Sequence, residues 1–411
     1  MALKKGTRLV ISAEVHKRFI LGKQGLWPGR CWQGKKGVEQ AIRELGAVQI
    51  DPTTIVAPSQ DLVLWGRVLD YRSAYLNDLL YKERKFFDYG GNLRIFPMAE
   101  LPFWRIVMKR KGQEKRWAKF AQENKKLIAD VKAEVRRHGP LRNRDFEGKQ
   151  TENYRSGRDS GVALYYLWLT GELMISRREG KERVYDLLEK IVPGKYSHKA
   201  TSKEAEDFFA QKSVAIQGIL NLRTFRNAWK GFIERFVDSN EAAKKLKQMA
   251  ANGIIKEIGI EKERDAFYIS PKDLPILESL AAQKIPKAWR PLDTTTAEEV
   301  VFLSPLDAIT GKAKTLFDFE AIWEIYKPAH KRKYGPYTMP ILYRESLVGR
   351  ADFKLDRERR TLVINGVWLE DRFSPTREFS KAFSRGLQHF AGFLGAITVD
   401  NSQVDIKAIL V

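Results

Sequence analysis

The stretch Gly161–Leu187, GVALYYLWLTGELMISRREGKERVYDL, decides the fold. Its first ten residues place Ala163, Leu164, Leu167 and Trp168 at helical spacing and stop at Gly171. Leu173–Ser176 and Arg183–Leu187 then read as two strands around the basic loop Arg177-Arg178-Glu179-Gly180-Lys181. Upstream, Leu127, Ile128, Val131 and Val135 define another helix that ends at His138-Gly139-Pro140. Arg142–Glu147 reads as a short helix between them. Three helices and a basic two-stranded wing make a winged helix. Arg142, Arg144, Arg177, Arg178 and Lys181 are its candidate DNA contacts.

The same pattern extends outward. From Lys203 to about Ser270 a further copy is expected. Its last helix carries Ala243, Leu246, Met249 and Ala250 with Gly253 as cap, and its wing strands are Ile254–Ile258 and Ala266–Ile269. Ser12–Asp51 reads as another copy. After Pro291 the texture becomes β-rich: Val300–Leu303, Trp323–Lys327, Tyr337–Tyr343, Leu347–Phe353, Thr361–Val367 and Ala396–Val399. Ser374-Pro375 then caps one amphipathic helix running to about Leu394. The expected class is α+β, with winged helices at residues 1–120, 121–200 and 201–291 and a β-barrel at 292–411.

Composition narrows the function. Seventy-three Lys and Arg against fifty-one Asp and Glu leave a formal charge of +22 on 411 residues. That surplus points to a polyanion. Nucleic acid fits better than a membrane surface, because the basic residues run along the whole chain rather than forming one amphipathic anchor. No apolar run approaches the roughly 18 residues of a membrane span. The basic start Met1-Ala2-Leu3-Lys4-Lys5 lacks the apolar core of a signal peptide. Cys31 is the single cysteine, so no internal disulfide is available and a reducing, cytoplasmic, nucleoid-associated setting is expected. The five histidines are scattered, which argues against a metal centre.

The chemistry is concentrated at Ala47-Val48-Gln49-Ile50-Asp51-Pro52. In an extended segment Gln49 and Asp51 face one way and Val48 and Ile50 the other. Pro52 biases Asp51 toward that geometry. A carboxylate suits a DNA-facing surface only where it does chemistry, although Asp before Pro also starts turns. Elsewhere no phosphate loop, nucleophile elbow or metal-protease motif occurs. Asp352 and Asp356 alternate with Arg350, Lys354, Arg357 and Arg359, which suits ion pairs better than a metal. Between the expected strands at Trp323 and Leu342, Pro328–Gly335 reads as a basic hairpin tip. Lys331, Arg332 and Lys333 would lie on phosphates and Tyr334 against a sugar or base.

These residues resemble the AlkZ/YcaQ-type winged-helix DNA glycosylases, bacterial enzymes that excise bulky or crosslinked alkylated purines. The resemblance rests on Val48–Pro52, Trp65-Gly66-Arg67, Gly139-Pro140-Leu141, Gly171-Glu172-Leu173 and Arg183–Leu187. It continues through Leu303–Asp307, Tyr326-Lys327-Pro328, Lys331–Gly335 and Val348–Asp352. It implies three winged helices and a barrel in a C shape around a basic channel. Gln49 and Asp51 would be the catalytic pair, Arg67 a DNA contact and Pro328–Gly335 the inserting hairpin. It further implies a monomer without metal or cofactor, acting on double-stranded DNA carrying alkylated bases in base excision repair. Two departures stand out. Phe87-Asp88-Tyr89 runs into Gly90-Gly91-Asn92 where the family has Trp and His, and Ala308–Lys314 has only lysines where the family has Arg. A non-enzymatic winged-helix binding protein and a metal nuclease are the competing classes.

Overall fold

The helix Gly34–Leu45 delivers the motif, and its period shows in its burial. Val38, Ala41, Ile42 and Leu45 are buried, and Gly46 closes the helix at φ 68° with its N–H bonded to the Ile42 carbonyl. A side chain would strain that left-handed cap. The next strand, Val48–Gln49, leaves the helix at once. This computed structural model describes residues 8–51, 53–146 and 159–404. Pro52 and Glu147, both used in the sequence reading, lie outside them.

The chain divides into two compact units. The first takes the chain up to Leu76, Ile216–Ile219, and everything from Ile255 onward. In it Val10–Ile11 runs parallel to Lys256–Ile260, which pairs antiparallel with Phe267–Ile269. Helix Ala13–Lys23 starts where Ser12 accepts the Val15 N–H. It buries Phe19, Ile20 and Leu21 among Ile258, Ile269, Leu277 and Trp289.

The β-rich segment forms a five-stranded sheet in the order Val301–Phe302, Thr338–Tyr343, Ser346–Asp356, Thr361–Leu369, Thr398–Asp400. Its pairings are antiparallel except the last. Irregularities between Ile341 and Leu342 and between Asp352 and Phe353 interrupt the register and bend the sheet. Helix Arg377–Phe393 lies on it through Phe390, whose ring centroid is 5.4 Å from both Phe302 and Phe353. Gly386 permits this approach, since a Cβ there would fall 2.5 Å from the Val300 carbonyl oxygen. The helix is capped by Thr376, two residues beyond the expected Ser374, because Thr376 accepts the Phe379 N–H.

Trp323–Lys327 is not a strand. The sheet passes from Val301–Phe302 directly to Thr338–Tyr343, so the intervening basic segment is a loop rather than a β-hairpin.

The second unit takes Asn77–Ala215 and Leu220–Ile254. Here helix Lys125–His138, a single 3-10 turn at Asn143–Asp145 and helix Asp159–Leu169 precede the hairpin Leu173–Glu179 with Glu182–Leu187. Leu141 exchanges both backbone hydrogen bonds with Tyr185, adding a third, one-residue rung. Arg177 and Arg178 therefore belong to a strand, and the expected basic loop shrinks to Gly180-Lys181. An aromatic core joins Tyr89, Trp104, Trp168 and Phe209, and Tyr89 Oη donates to the Leu169 carbonyl at 2.7 Å.

The segment 201–291 contributes to both units. Its helices Leu222–Ile233 and Ser239–Ala251 lie in the second, and its strands Lys256–Ile260 and Phe267–Ile269 in the first. On the last helix the buried face is Ala242, Leu246 and Met249, and Asn252 is the cap, with Gly253 following at φ 68°.

Candidate active site and nucleic-acid interface

Val48 and Ile50 are buried, while Gln49 and Asp51 are half-buried. The alternation thus separates an anchoring pair from a presenting pair, as the pattern requires. Asp51 Oδ1 accepts the Thr53 N–H at 2.7 Å, and the Asp51 N–H donates to Gln60 Oε1 at 3.3 Å. The turn-forming reading of this aspartate therefore holds for one oxygen, without excluding chemistry at the other. The chain just beyond is tied down from far away. The Ile55 carbonyl accepts the Leu355 N–H at 3.1 Å, and the Val56 carbonyl accepts Arg357 Nη2 at 2.9 Å.

Helix Ser59–Trp65 follows and brings a fully buried polar group to the motif. The Ser59 N–H donates to the Asp51 carbonyl at 3.4 Å. Ser59 Oγ lies 2.9 Å from Ser304 Oγ, and Tyr337 is completely buried beside them. Burial, and then the nearby Asp51 charge, push the Tyr337 phenol up to about 12.

Arg67 is a correction. The sequence reading made it a DNA contact, yet it is 0% exposed. Its guanidinium forms a two-point fork on Asp307, with Nη1–Oδ2 2.7 Å and Nη2–Oδ1 2.8 Å. Nε and Nη1 also donate to the Gln24 and Val63 carbonyls. So complete a set of internal partners leaves nothing for a phosphate, and Arg67 is a structural clamp.

The basic loop closes on a carboxylate. Glu324, 1% exposed as a residue and 0% at its side chain, accepts the Lys333 and Tyr334 N–H groups, both at 2.9 Å, and Lys327 Nζ at 2.9 Å. Desolvation works against its charge. The backbone bonds from Tyr334 and Lys333 and the Lys327 ammonium outweigh it, pulling the carboxyl down to about 2. Lys331 and Lys333 point to solvent, whereas Tyr334 is half-buried against Trp368 and Arg350. The exposed aromatic is instead Tyr326, at 85%, braced edge-on by Trp323. Sequence reasoning missed it because Trp323–Lys327 looked like a strand, although Pro328 next to it was a turn signal.

In the second unit the cations of the hairpin and of the turn before it are paired. Arg142 meets Asp145 and Glu179, Arg144 meets Glu182, and Arg177 meets Glu179. Arg144 and Arg177 are about half exposed and Arg142 about a quarter, and solvent-exposed pairs of this kind are weak enough to exchange for phosphate. Lys181 is exposed at the turn. Arg178 differs: its guanidinium, 19% exposed, grips the buried Asp88 at 2.6 Å. It is therefore also corrected from a DNA contact to an internal ion pair. Asp88 belongs to the Phe87-Asp88-Tyr89 segment that departs from the family pattern.

Among the described residues no group of three or more His, Cys, Asp or Glu is arranged to hold a metal ion. Among the same residues no helix is long and apolar enough to cross a membrane.

Residues 42–393 match the family described as DNA glycosylase AlkZ-like. The chain belongs to the AlkZ-like DNA glycosylase family. The match begins within the helix that delivers Gln49 and Asp51 and ends with the helix that packs on the sheet. The fold is similar to that of the Streptomyces sahachiroi DNA glycosylase AlkZ, with a TM-score of 0.61 over 95% of this chain and 99% of that one at 14% identity. So low an identity carries the AlkZ-like fold across and leaves the site residues to be argued from this chain's geometry.

Proposed function

We propose that this protein is a monofunctional glycosylase hydrolysing the N-glycosidic bond of alkylated, cationic purines in duplex DNA, including guanines held in interstrand crosslinks. The observation that carries this reading is the presentation of Gln49 and Asp51 on the accessible side of a strand whose other side is anchored in the core. Alkylation at the imidazole ring makes the base a good leaving group. The bond electrons depart with the purine, which becomes neutral, and the sugar becomes oxocarbenium-like. Asp51 stabilises that positive charge and accepts a proton from the attacking water, whose oxygen bonds to the anomeric carbon. Gln49 holds the water or the sugar by its carboxamide. The motif places no lysine as a nucleophile, so the strand stays intact. A crosslinked base cannot swing freely into a closed pocket, which suits an open, basic surface. Arg142, Arg144, Arg177, Lys181, Lys331, Arg332 and Lys333 contact phosphates, and Tyr326 supplies the aromatic surface. The protein acts as a monomer without a cofactor.

The test uses duplex DNA carrying alkylated guanine as monoadduct and as crosslink, followed by alkali to cut at abasic sites, with chelator present. Wild-type protein is expected to give cleavage, and Asp51→Asn to lose at least about 1,000-fold in rate with DNA affinity unchanged. Equal activity of the two removes Asp51 from the mechanism. Tight binding by the wild type with no base release favours a non-enzymatic binding protein.

A further inference from the structure

The strand that presents the motif ends at Gln49, so the backbone of Asp51 has no ladder to join. A partly buried main-chain amide left without a partner costs free energy. Both polar backbone groups of Asp51 are met instead from the start of the helix Ser59–Trp65. Its N–H donates to Gln60 Oε1 at 3.3 Å, and its carbonyl accepts the Ser59 N–H at 3.4 Å. The Thr53 N–H, at 2.7 Å, occupies Oδ1 of the carboxylate. Oδ2 has no hydrogen-bond partner among the described residues. Of the three bonds that hold Asp51, only the one from Gln60 is made by a side chain, so only that one depends on which residue stands there.

The residue type suits the task. An apolar side chain at position 60 would orphan the Asp51 amide. A glutamate could accept the bond but would bring a second negative charge to the motif. Glutamine supplies a neutral acceptor of the same reach, and the N–H it receives requires its oxygen rather than its nitrogen to face Asp51. The helix that carries it is itself fixed. Leu62 and Leu64 are buried, and the Val63 carbonyl accepts Arg67 Nη1 at 2.9 Å, from the same guanidinium that forks on Asp307. An anchored helix thus reaches back across the irregular residues 53–58 to hold the aspartate.

We propose that Gln60 is a positioning residue for Asp51. Its side-chain oxygen pins the backbone of the aspartate, Thr53 holds Oδ1, and Oδ2 is left to meet the attacking water and the sugar. The inference rests on the function proposed above and adds a residue to it. Misplacing a catalytic group by about 1 Å costs on the order of 100-fold in rate, and loss of one bond in three should cost less than that.

The experiment compares wild type with Gln60→Met, which keeps the length of the side chain and removes its acceptor. Three quantities are read: single-turnover excision of alkylated guanine from duplex DNA at saturating enzyme, affinity for the same duplex, and amide hydrogen exchange at Asp51 by NMR. Exchange at Asp51 is expected to quicken about 10-fold and excision to slow about 10-fold, with affinity unchanged. A role confined to packing would lower Tm and leave the saturated excision rate of the folded protein as it was, and that result overturns the proposal. Slower excision with Asp51 exchange unaltered overturns it too, since Gln60 would then act by another route. Gln60→Glu keeps an oxygen acceptor and is expected to retain the slow exchange, tying the effect to the bond rather than to the bulk of the side chain. Gln60→Asn, whose carboxamide falls one methylene short, is expected to behave as Gln60→Met does and replaces it if that variant does not fold. If the wild type excises nothing, the function proposed above falls, while exchange at Asp51 still decides the hold. If wild type and Gln60→Met excise alike, the positioning falls while the function stands.

Discussion

The surroundings of Arg67 and the hairpin Leu173–Leu187 hold their charges in opposite ways. Arg67 and Asp307 are 0% and 1% exposed at their side chains, joined in a two-point fork. Arg177 and Glu179 are 49% and 35% exposed at 2.7 Å. Both arrangements are salt bridges by distance, yet their energetics differ. A buried fork whose partner is removed leaves an uncompensated charge in a poorly solvated place. An exposed pair is close to neutral in stability, and on the function proposed above it exchanges carboxylate for phosphate when DNA arrives. The lesson is that a basic sequence spends its arginines in two ways, on building the site and on meeting the substrate, and burial of the carboxylate partner separates them.

The largest effect is expected where the fork is broken. Asp307→Ala should cost about 3–5 kcal/mol of stability, read as a fall in Tm by calorimetry. Arg67→Lys should fail to restore the fork, since an ammonium cannot occupy both carboxylate oxygens in the same plane. A Tm change under about 5 °C for Asp307→Ala would collapse the contrast between the two regions.

The neighbouring pair Arg178 and Arg177 sharpens it within a single strand. Arg178→Ala strands the buried Asp88 and should cost on the order of 3 kcal/mol. Arg177→Ala should cost less than about 1 kcal/mol. The DNA-binding readout should be reversed. Arg177→Ala is expected to reduce the salt slope of binding by about 0.9, whereas Arg178→Ala leaves that slope intact in protein that remains folded. Identical salt slopes for Arg177→Ala and wild type would remove the hairpin from the proposed interface.

The smallest effect concerns the loop. Glu324 has its carboxyl drawn from 4.5 to about 2, so its stabilising contribution is complete above 4.5 and is lost as pH falls through about 2. Amide exchange protection at Lys333 and Tyr334 should therefore hold from neutral pH to about 4.5 and decay below it. Glu324→Gln should lower that protection roughly tenfold at neutral pH and abolish its acid dependence. Unaltered protection would mean that the loop is held by something other than this carboxylate.

What was legible in the sequence was what is local. The stop at Gly46, the burial of Val48 and Ile50 and the hairpin around Gly180 are all set by residues a few positions apart. So is most of the five-stranded sheet, whose strands are apolar runs bounded by turn residues. Illegible features depend on distant partners. Nothing near Arg67 announces Asp307, 240 residues later. Nothing near Arg178 shows that Asp88 is buried. The loop misled for a different reason. Trp323, Ile325 and Tyr326 are strand-forming types, but Glu324 between them gathers three successive amides and pulls the chain into a closed turn. An acidic residue inside such a run, followed by Pro328, is the signal that would have exposed it.

The tethers from Leu355 and Arg357 to the backbone at Ile55 and Val56 have a consequence in time. Gln49 and Asp51 are made some three hundred residues before their supports. At roughly 5–20 residues per second, that interval lasts on the order of 15–60 s. Throughout it the acidic motif exists without the strand end that fixes its neighbours. Release of a shortened chain, by a nonsense codon or by proteolysis ahead of Leu355, therefore yields a protein that keeps its basic hairpin Leu173–Leu187 and lacks both tethers. On the function proposed above, such a fragment would bind DNA without releasing a base, so completion of the chain is itself the step that arms the site.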